Sequence, residues 1–188
     1  MPSGYQIKNQ SKPHYLTFQV VDWVDIFTRK DYRDIIVDSL NFCIENKDLS
    51  VYAYVIMSNH VHLIAHHASE NLSGVIRDFK SYTSKQMLQT ITSGKESREK
   101  WMLDIFRKTA RRHQRNSRYQ VWTHENHAME VFSSSFFENK LDYIHNNPVR
   151  AGWVSKPEDY LYSSAKNYAG EGGFVKVELI SRKWKTIS

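Results

Sequence analysis

A single cysteine, Cys43, excludes any intrachain disulfide. It also argues against a closed structural zinc site, which takes four ligands and usually draws on cysteine. Cys43 sits in an apolar helical stretch and reads as core. No apolar run approaches the roughly 20 residues that cross a bilayer, so no membrane span is expected. The polar start MPSGYQIKNQSK does not read as a signal peptide. With the lone cysteine, this points to a reducing cytoplasm. Internal repeats and low-complexity linkers are also missing.

What is present is enough to fold. Hydrophobic residues make up 40% of the 188, which supports a sizeable core and excludes wholesale disorder. The length fits one domain with embellishments, residues 1–188, built on a core of about 13–170 with a C-terminal tail at 171–188. The net charge of +6 is concentrated. Between Lys95 and Arg118 stand nine Lys/Arg against three acidic residues, an excess equal to that of the whole chain. A localised basic insert of this kind suits a polyanion, although a solvated basic helix face has the same composition.

Residues His14 to Val24 are rich in β-branched and aromatic side chains and read as a strand. Thr28 with Asp31 resembles a capping box that opens a helix carrying Ile36, Leu40, Cys43 and Ile44 on one face. Val51 to Met57 and His60 to His66 read as a hairpin turned at Ser58-Asn59. Asn71 is a candidate cap for a helix striped by Leu72, Val75, Ile76 and Phe79. A basic helix is predicted over Trp101 to His113, partial strand over Val121 to Phe132, and a last main helix over Phe136 to Asn146, stopped by Pro148. The order predicts an α+β fold: a ferredoxin-like antiparallel sheet with helices on one face, plus an inserted basic helix at about 95–118.

His60 and His62 are two apart on a predicted strand, so both imidazoles point the same way and can reach one ion. Solvent-facing histidines give the same pattern. A nucleotide-hydrolase histidine triad would need a third histidine at position 64, where Ile64 stands. His66 and His67 read as surface or edge residues, with His66 a distant third-ligand candidate. Tyr143 and Asn147 are four apart, about 40° around a helix, and share a face if the helix persists. A half-buried aromatic would look no different.

Two segments decide between these readings. VYAYVIMSNHVHLIA, followed by LDYIHNNPVRAGWVSKPEDYLYSSAKNYAG, resembles the REP-associated tyrosine transposases, an IS200-like branch of the HUH single-strand nucleases. HUH denotes His, a bulky hydrophobic residue and His, here His60-Val61-His62. The likeness runs from the first strand to about Gly170, with both motifs in the family's order. It implies a ferredoxin-like core, a divalent metal (Mg²⁺ or Mn²⁺) on His60 and His62, Tyr143 as nucleophile and Asn147 as a third, amide ligand. It implies cleavage and rejoining of hairpin-flanked single-stranded DNA through a 5′-phosphotyrosine. Such a protein works in the cytoplasm, associated with the nucleoid, as a monomer or homodimer.

The insert matches nothing in the family that carries over. Within it, Lys108, Arg111, Arg112 and Arg115 fall at i, i+3, i+4 and i+7 and form one stripe suited to a phosphate backbone. Arg77, Lys80 and Lys85 can extend that track, and Arg150 is a candidate phosphate contact beside the site. Trp122, Trp153 and Tyr160 can stack on bases or pack in the core. Two other functions stay open. A domesticated nuclease acting on chromosomal repeats would carry the same residues. A non-catalytic nucleic-acid-binding ferredoxin-like module would have no need of His60, His62 and Tyr143 together.

Overall fold

The computed structural model describes residues 7–112 and 118–180. Strand β1 (His14–Gln19) leads through two short 3₁₀ turns into helix α1 (Lys30–Asn46). Strands β2 (Leu49–Ile56) and β3 (His60–His67) form the expected hairpin, closed by Met57 N–H on the His60 carbonyl at 2.8 Å. Helices α2 (Leu72–Thr90) and α3 (Glu99–Arg112) follow, then the two-residue strand β4 (Met129–Glu130), α4 (Ser134–Arg150) and the single turn α5 (Ala165–Tyr168). The sheet order is β2-β3-β1-β4, and every neighbouring pair is antiparallel. This is the ferredoxin-like arrangement: α1 carries the chain from β1 across to β2, and β3 returns between them.

Strand alternation assigns each side chain to a face. Leu16, Phe18, Val61 and Leu63 have no exposed surface, and the Phe18 ring packs on Phe79 of α2 at 5.7 Å. The opposite face carries Tyr15, Thr17, His60 and His62. There Tyr15 meets Tyr143 of α4, with ring centroids 6.4 Å apart. Helices therefore cover both faces. The one-face expectation holds for α1 and α2 and fails for α4, which buries the half-polar side of the sheet.

Other boundaries moved for identifiable reasons. β1 ends at Gln19 because the chain turns at Val21–Trp23. Thr28 does not cap α1: its hydroxyl bonds the Asp25 carbonyl, and Arg29 occupies the cap position with no side-chain cap bond. His67 is buried and not at an edge, accepting from the backbone N–H of Ser69 and Asn71. Partial strand at 121–132 is realised as β4 and a bridge from Trp122 to Val20.

The insert is anchored by apolar contacts. Met102 and Phe106 of α3 are fully buried, each worth about 1.5–3 kcal/mol, whereas exposed ion pairs on such a helix contribute about 0–1 kcal/mol. At its start, Glu96 is buried against Tyr32, Arg29 and Arg98. Burial works against its charge, but the Arg98 backbone N–H, the Tyr32 hydroxyl and the Arg98 guanidinium hold its carboxyl below the usual range.

Helix α4 runs through Pro148 to Arg150, four residues beyond the predicted end. Proline lacks an N–H, yet here it lies in the last turn, and the termination signal is Gly152 with φ +74°. Gly152 N–H bonds the Val149 carbonyl and Trp153 N–H bonds the Pro148 carbonyl, a Schellman closure that satisfies the final acceptors. The face shared by Tyr143 and Asn147 depends on this extension. Gly152→Ala meets no steric neighbour, so its cost is conformational, about 1 kcal/mol. Urea denaturation should show that loss, with a smaller one for Gly152→Asn, since asparagine tolerates the left-handed region. Equal stability of all three would show that Gly152 does not set the helix end.

Candidate active site

The β1/β3 register pairs Thr17 with His62 and Gln19 with His60. Thr17 and Tyr15 therefore flank His62 on the same face. The Tyr15 hydroxyl lies 2.8 Å, and the Thr17 hydroxyl 2.9 Å, from His62 Nδ1. His60 Nδ1 lies 2.7 Å from Asn59 Oδ1. The two imidazole centroids are 4.7 Å apart. Each ring thus has one nitrogen held by the protein, while Nε2 has no protein partner among the described residues.

Helix α4 brings the tyrosine. Ser133 caps it by accepting from Phe136 N–H at 3.1 Å. Positions 136, 140, 143, 147 and 150 then fall along one stripe. Tyr143 is 38% exposed, and its ring lies edge-on to His62 at 5.3 Å. The Lys140 ammonium sits 4.4 Å from the Tyr15 ring centroid and 5.9 Å from that of Tyr143. The Arg150 guanidinium sits 5.3 Å from the Tyr143 ring. Neither cation has a carboxylate within salt-bridge range among the described residues. Asn147 stands one turn beyond Tyr143 on the same stripe.

Burial sets the protonation of the histidines. Desolvation lowers the proton affinity of His60. For His62, burial first, then the neighbouring His60 and the Lys140 charge, push the pKa down to about 3. Burial also raises the Tyr15 phenol, which stays protonated. At neutral pH the pair is two uncharged imidazoles, each with a lone pair, near the Lys140 ammonium. Among the described residues no third His, Cys, Asp or Glu joins them, so a closed structural metal site is not formed. The donors shown together are the two imidazoles, which suit an open divalent-metal site and not a closed one.

The predicted basic residues are dispersed. Lys108, Arg111 and Arg112 are exposed on α3, and Met102 and Phe106 occupy its buried side. Arg115 lies outside the described residues. Arg77 and Lys85 are exposed on α2 and line a cavity of about 750 Å³ between α2 and residues 119–126. Lys80 points inward, donating to the Thr123 carbonyl and Asn126 Oδ1 at 2.7 Å each. Burial brings its pKa down to about 8. Trp122 is core, packed on Phe18 and Phe27 and bonded to Thr83. Tyr160 is buried as well, its hydroxyl donating to the Ile56 carbonyl, whereas Trp153 is exposed beside it. Tyr15, Thr17, Asn59 and Lys140 were missed by sequence reasoning. Lys140, three residues before Tyr143, and Asn59, a turn residue directly before His60, left local traces, whereas Tyr15 and Thr17 left none.

The profile of the family described as "Transposase IS200 like" matches residues 18–147, a span that contains both histidines, Tyr143 and Asn147. No curated protein matches the chain significantly. Among solved structures, a REP-associated tyrosine transposase bound to a REP hairpin superimposes with a TM-score of 0.58 at 16% identity, covering 99% of each chain. At that identity the likeness is one of fold.

The depressed His62 pKa has a consequence for stability. Between about 3 and the ordinary 6.5, the unfolded chain binds a proton that folded His62 does not. Stability is therefore full above pH 6.5 and declines as pH falls through that window. Urea denaturation at pH 7.5 and pH 5 should show the decline, and His62→Gln should reduce it. An imidazole signal from His62 titrating near 6.5 in the folded protein would contradict the assignment.

Proposed function

The chain belongs to the IS200-like transposase family, and from that premise we propose that it is a metal-dependent single-strand DNA endonuclease and strand transferase, cleaving and rejoining hairpin-flanked DNA through a 5′-phosphotyrosine on Tyr143. The observation that carries this reading is the convergence of Tyr143, from α4, on His60 and His62, from β3, with ring centroids 5.3 Å apart between Tyr143 and His62. Packing alone asks for neither a half-exposed tyrosine here nor two neutral imidazoles beside two cations that have no carboxylate partner among the described residues.

His60, His62 and Asn147 would hold a Mg²⁺ or Mn²⁺ ion, which when bound supplies charge to the scissile phosphate and orients it. Mn²⁺ suits imidazole nitrogen better than Mg²⁺, which prefers oxygen. The chain's own groups do the rest. The Tyr143 oxygen attacks phosphorus in line. A Tyr–O–P bond forms, the bond from phosphorus to the 3′-oxygen breaks, the phenolic proton leaves to solvent, to which Tyr143 is open, and the departing 3′-oxygen takes up a proton from solvent. One end is left as 5′-phosphotyrosine and the other as a free 3′-hydroxyl. Attack by another 3′-hydroxyl reverses the step, so strand joining needs no nucleotide cofactor. Lys140 and Arg150, on either side of Tyr143, offset the charge that develops on the phosphate.

Hairpin DNA is the proposed substrate because the solved protein of like fold is bound to a REP hairpin, and because cations of this chain extend beyond the site. Lys108, Arg111 and Arg112 on α3, with Arg77 and Lys85 on α2, offer backbone contacts. Lys80 acts chiefly as an internal strap between α2 and residues 123–126.

Labelled hairpin DNA with Mn²⁺ should yield a denaturant-resistant adduct that maps to Tyr143. Tyr143→Phe should fold, bind metal and DNA, and form no adduct, and His60→Ala with His62→Ala should abolish cleavage. Cleavage by Tyr143→Phe at the wild-type rate would instead assign the reaction to activated water. For the basic helix, alanine at Lys108, Arg111 and Arg112 should lower the slope of log affinity against log salt by about 0.7 per lost contact to a single strand, or about 0.9 to duplex. An unchanged slope would make the stripe a solvated face.

A further inference from the structure

The turn before β3 is laced to a strained segment. Asp22 and Trp23 are consecutive non-glycine residues with φ of +49° and +57°, a conformation that costs energy and persists only where its surroundings impose it. They lie in the stretch that wraps the β2–β3 turn: Val20 N–H bonds the Asn59 carbonyl and Phe27 N–H bonds the Ser58 carbonyl, each at 2.9 Å. This backbone aims the Trp23 carbonyl at the Asn59 side chain, whose Nδ2 donates to it at 3.3 Å. A carbonyl can only accept, so the amide nitrogen of Asn59 must face Trp23 and the amide oxygen must face the other way. That oxygen lies 2.7 Å from His60 Nδ1. An amide oxygen also can only accept, so the proton of neutral His60 must sit on Nδ1. Nε2, turned away from this relay, keeps its lone pair.

We infer that Asn59 is a positioning residue which, held by the Trp23 carbonyl, fixes His60 as the Nδ1–H tautomer and so presents Nε2 as a ready metal ligand. This rests on the reading of His60 and His62 as a metal pair. The contrast with His62 sharpens it. His62 Nδ1 faces the hydroxyls of Tyr15 and Thr17, each of which can donate or accept, so that environment does not dictate a tautomer. His60 is the preset ligand and His62 the adjustable one. The strain at Asp22 and Trp23 then has a purpose, because a relaxed turn would point the carbonyl elsewhere and free the amide to rotate.

The test reads tautomer and metal binding, not cleavage. Long-range ¹⁵N–¹H NMR on ¹⁵N-histidine-labelled protein without metal should show His60 as a single Nδ1–H tautomer. Asn59→Ala should give a mixture, and its apparent Mn²⁺ dissociation constant should rise roughly tenfold to a hundredfold, the range for losing such a supporting contact. Asn59→Asp keeps the acceptor for His60 while losing the donor to Trp23. It should keep the Nδ1–H form and bind Mn²⁺ at least as tightly as wild type, which holds the question open to decision if the alanine variant does not fold. Wild-type His60 as the Nε2–H tautomer would overturn the inference. So would unchanged Mn²⁺ affinity in folded Asn59→Ala, or a tenfold loss in Asn59→Asp. If His60 has the expected tautomer but Mn²⁺ broadens neither His60 nor His62, the relay stands and the metal reading of the site falls.

Discussion

The antiparallel register of β1 against β3 is the constraint from which the site follows. With Thr17 opposite His62 and Phe18 opposite Val61, alternation sends Leu16, Phe18, Val61 and Leu63 under α1 and α2. It leaves Tyr15, Thr17, His60 and His62 together on the other face. A slip of one residue would place histidines in the core and valine at the site. The register is protected by burial: Leu16, Phe18, Val61 and Leu63 have no exposed surface, so no neighbouring pairing buries the same apolar set. The geometry of the candidate site on one face is thus fixed by packing on the other.

How much of this was legible depends on the range of each interaction. The β2–β3 hairpin, the apolar stripes of α1 and α2 and the common face of His60 and His62 follow from periods of two and 3.6, which a sequence displays directly. The grouping of Tyr143 with Asn147 was conditional on the helix persisting to its proline-bounded end, and the helix in fact passes Pro148 to reach Arg150. The sign that it does pass, Gly152, was present but is meaningful only with its Schellman bonds. The hydroxyls behind His62 come from 45 and 47 positions away, and no local pattern points to them. Lys80 shows the opposite limit. In sequence it is one more cation on a basic face. In the fold its neighbours are a carbonyl and an amide oxygen, and the charge is turned inward.

The insert illustrates how charge and packing divide one helix. α3 buries Met102 and Phe106 and leaves Lys108, Arg111 and Arg112 in solvent. The apolar side fixes where the basic side points, because docking through two fully buried side chains outweighs what any exposed ion pair contributes. A basic segment with no such anchor would be a charged tether. Anchored, it is a surface with a defined orientation relative to the sheet.

Electrostatics around Tyr143 complete the argument for an anionic ligand. Among the described residues neither Lys140 nor Arg150 has a carboxylate within salt-bridge range, and Lys140 makes protonation of His62 harder still. The neutral histidines cannot serve as counterions. Aromatic rings beneath Lys140 and beside Arg150 supply partial compensation through their π faces, worth about 0.5–2 kcal/mol each. That is less than a full negative charge would contribute at the same place. On the proposed function, a phosphodiester brought to Tyr143 would supply a negative charge between Lys140 and Arg150, and the rings already hold both cations near it. Preorganisation of this kind favours charge that develops during reaction over charge already neutralised in the ground state. It also explains why a tyrosine with cations on both sides remains partly open to solvent.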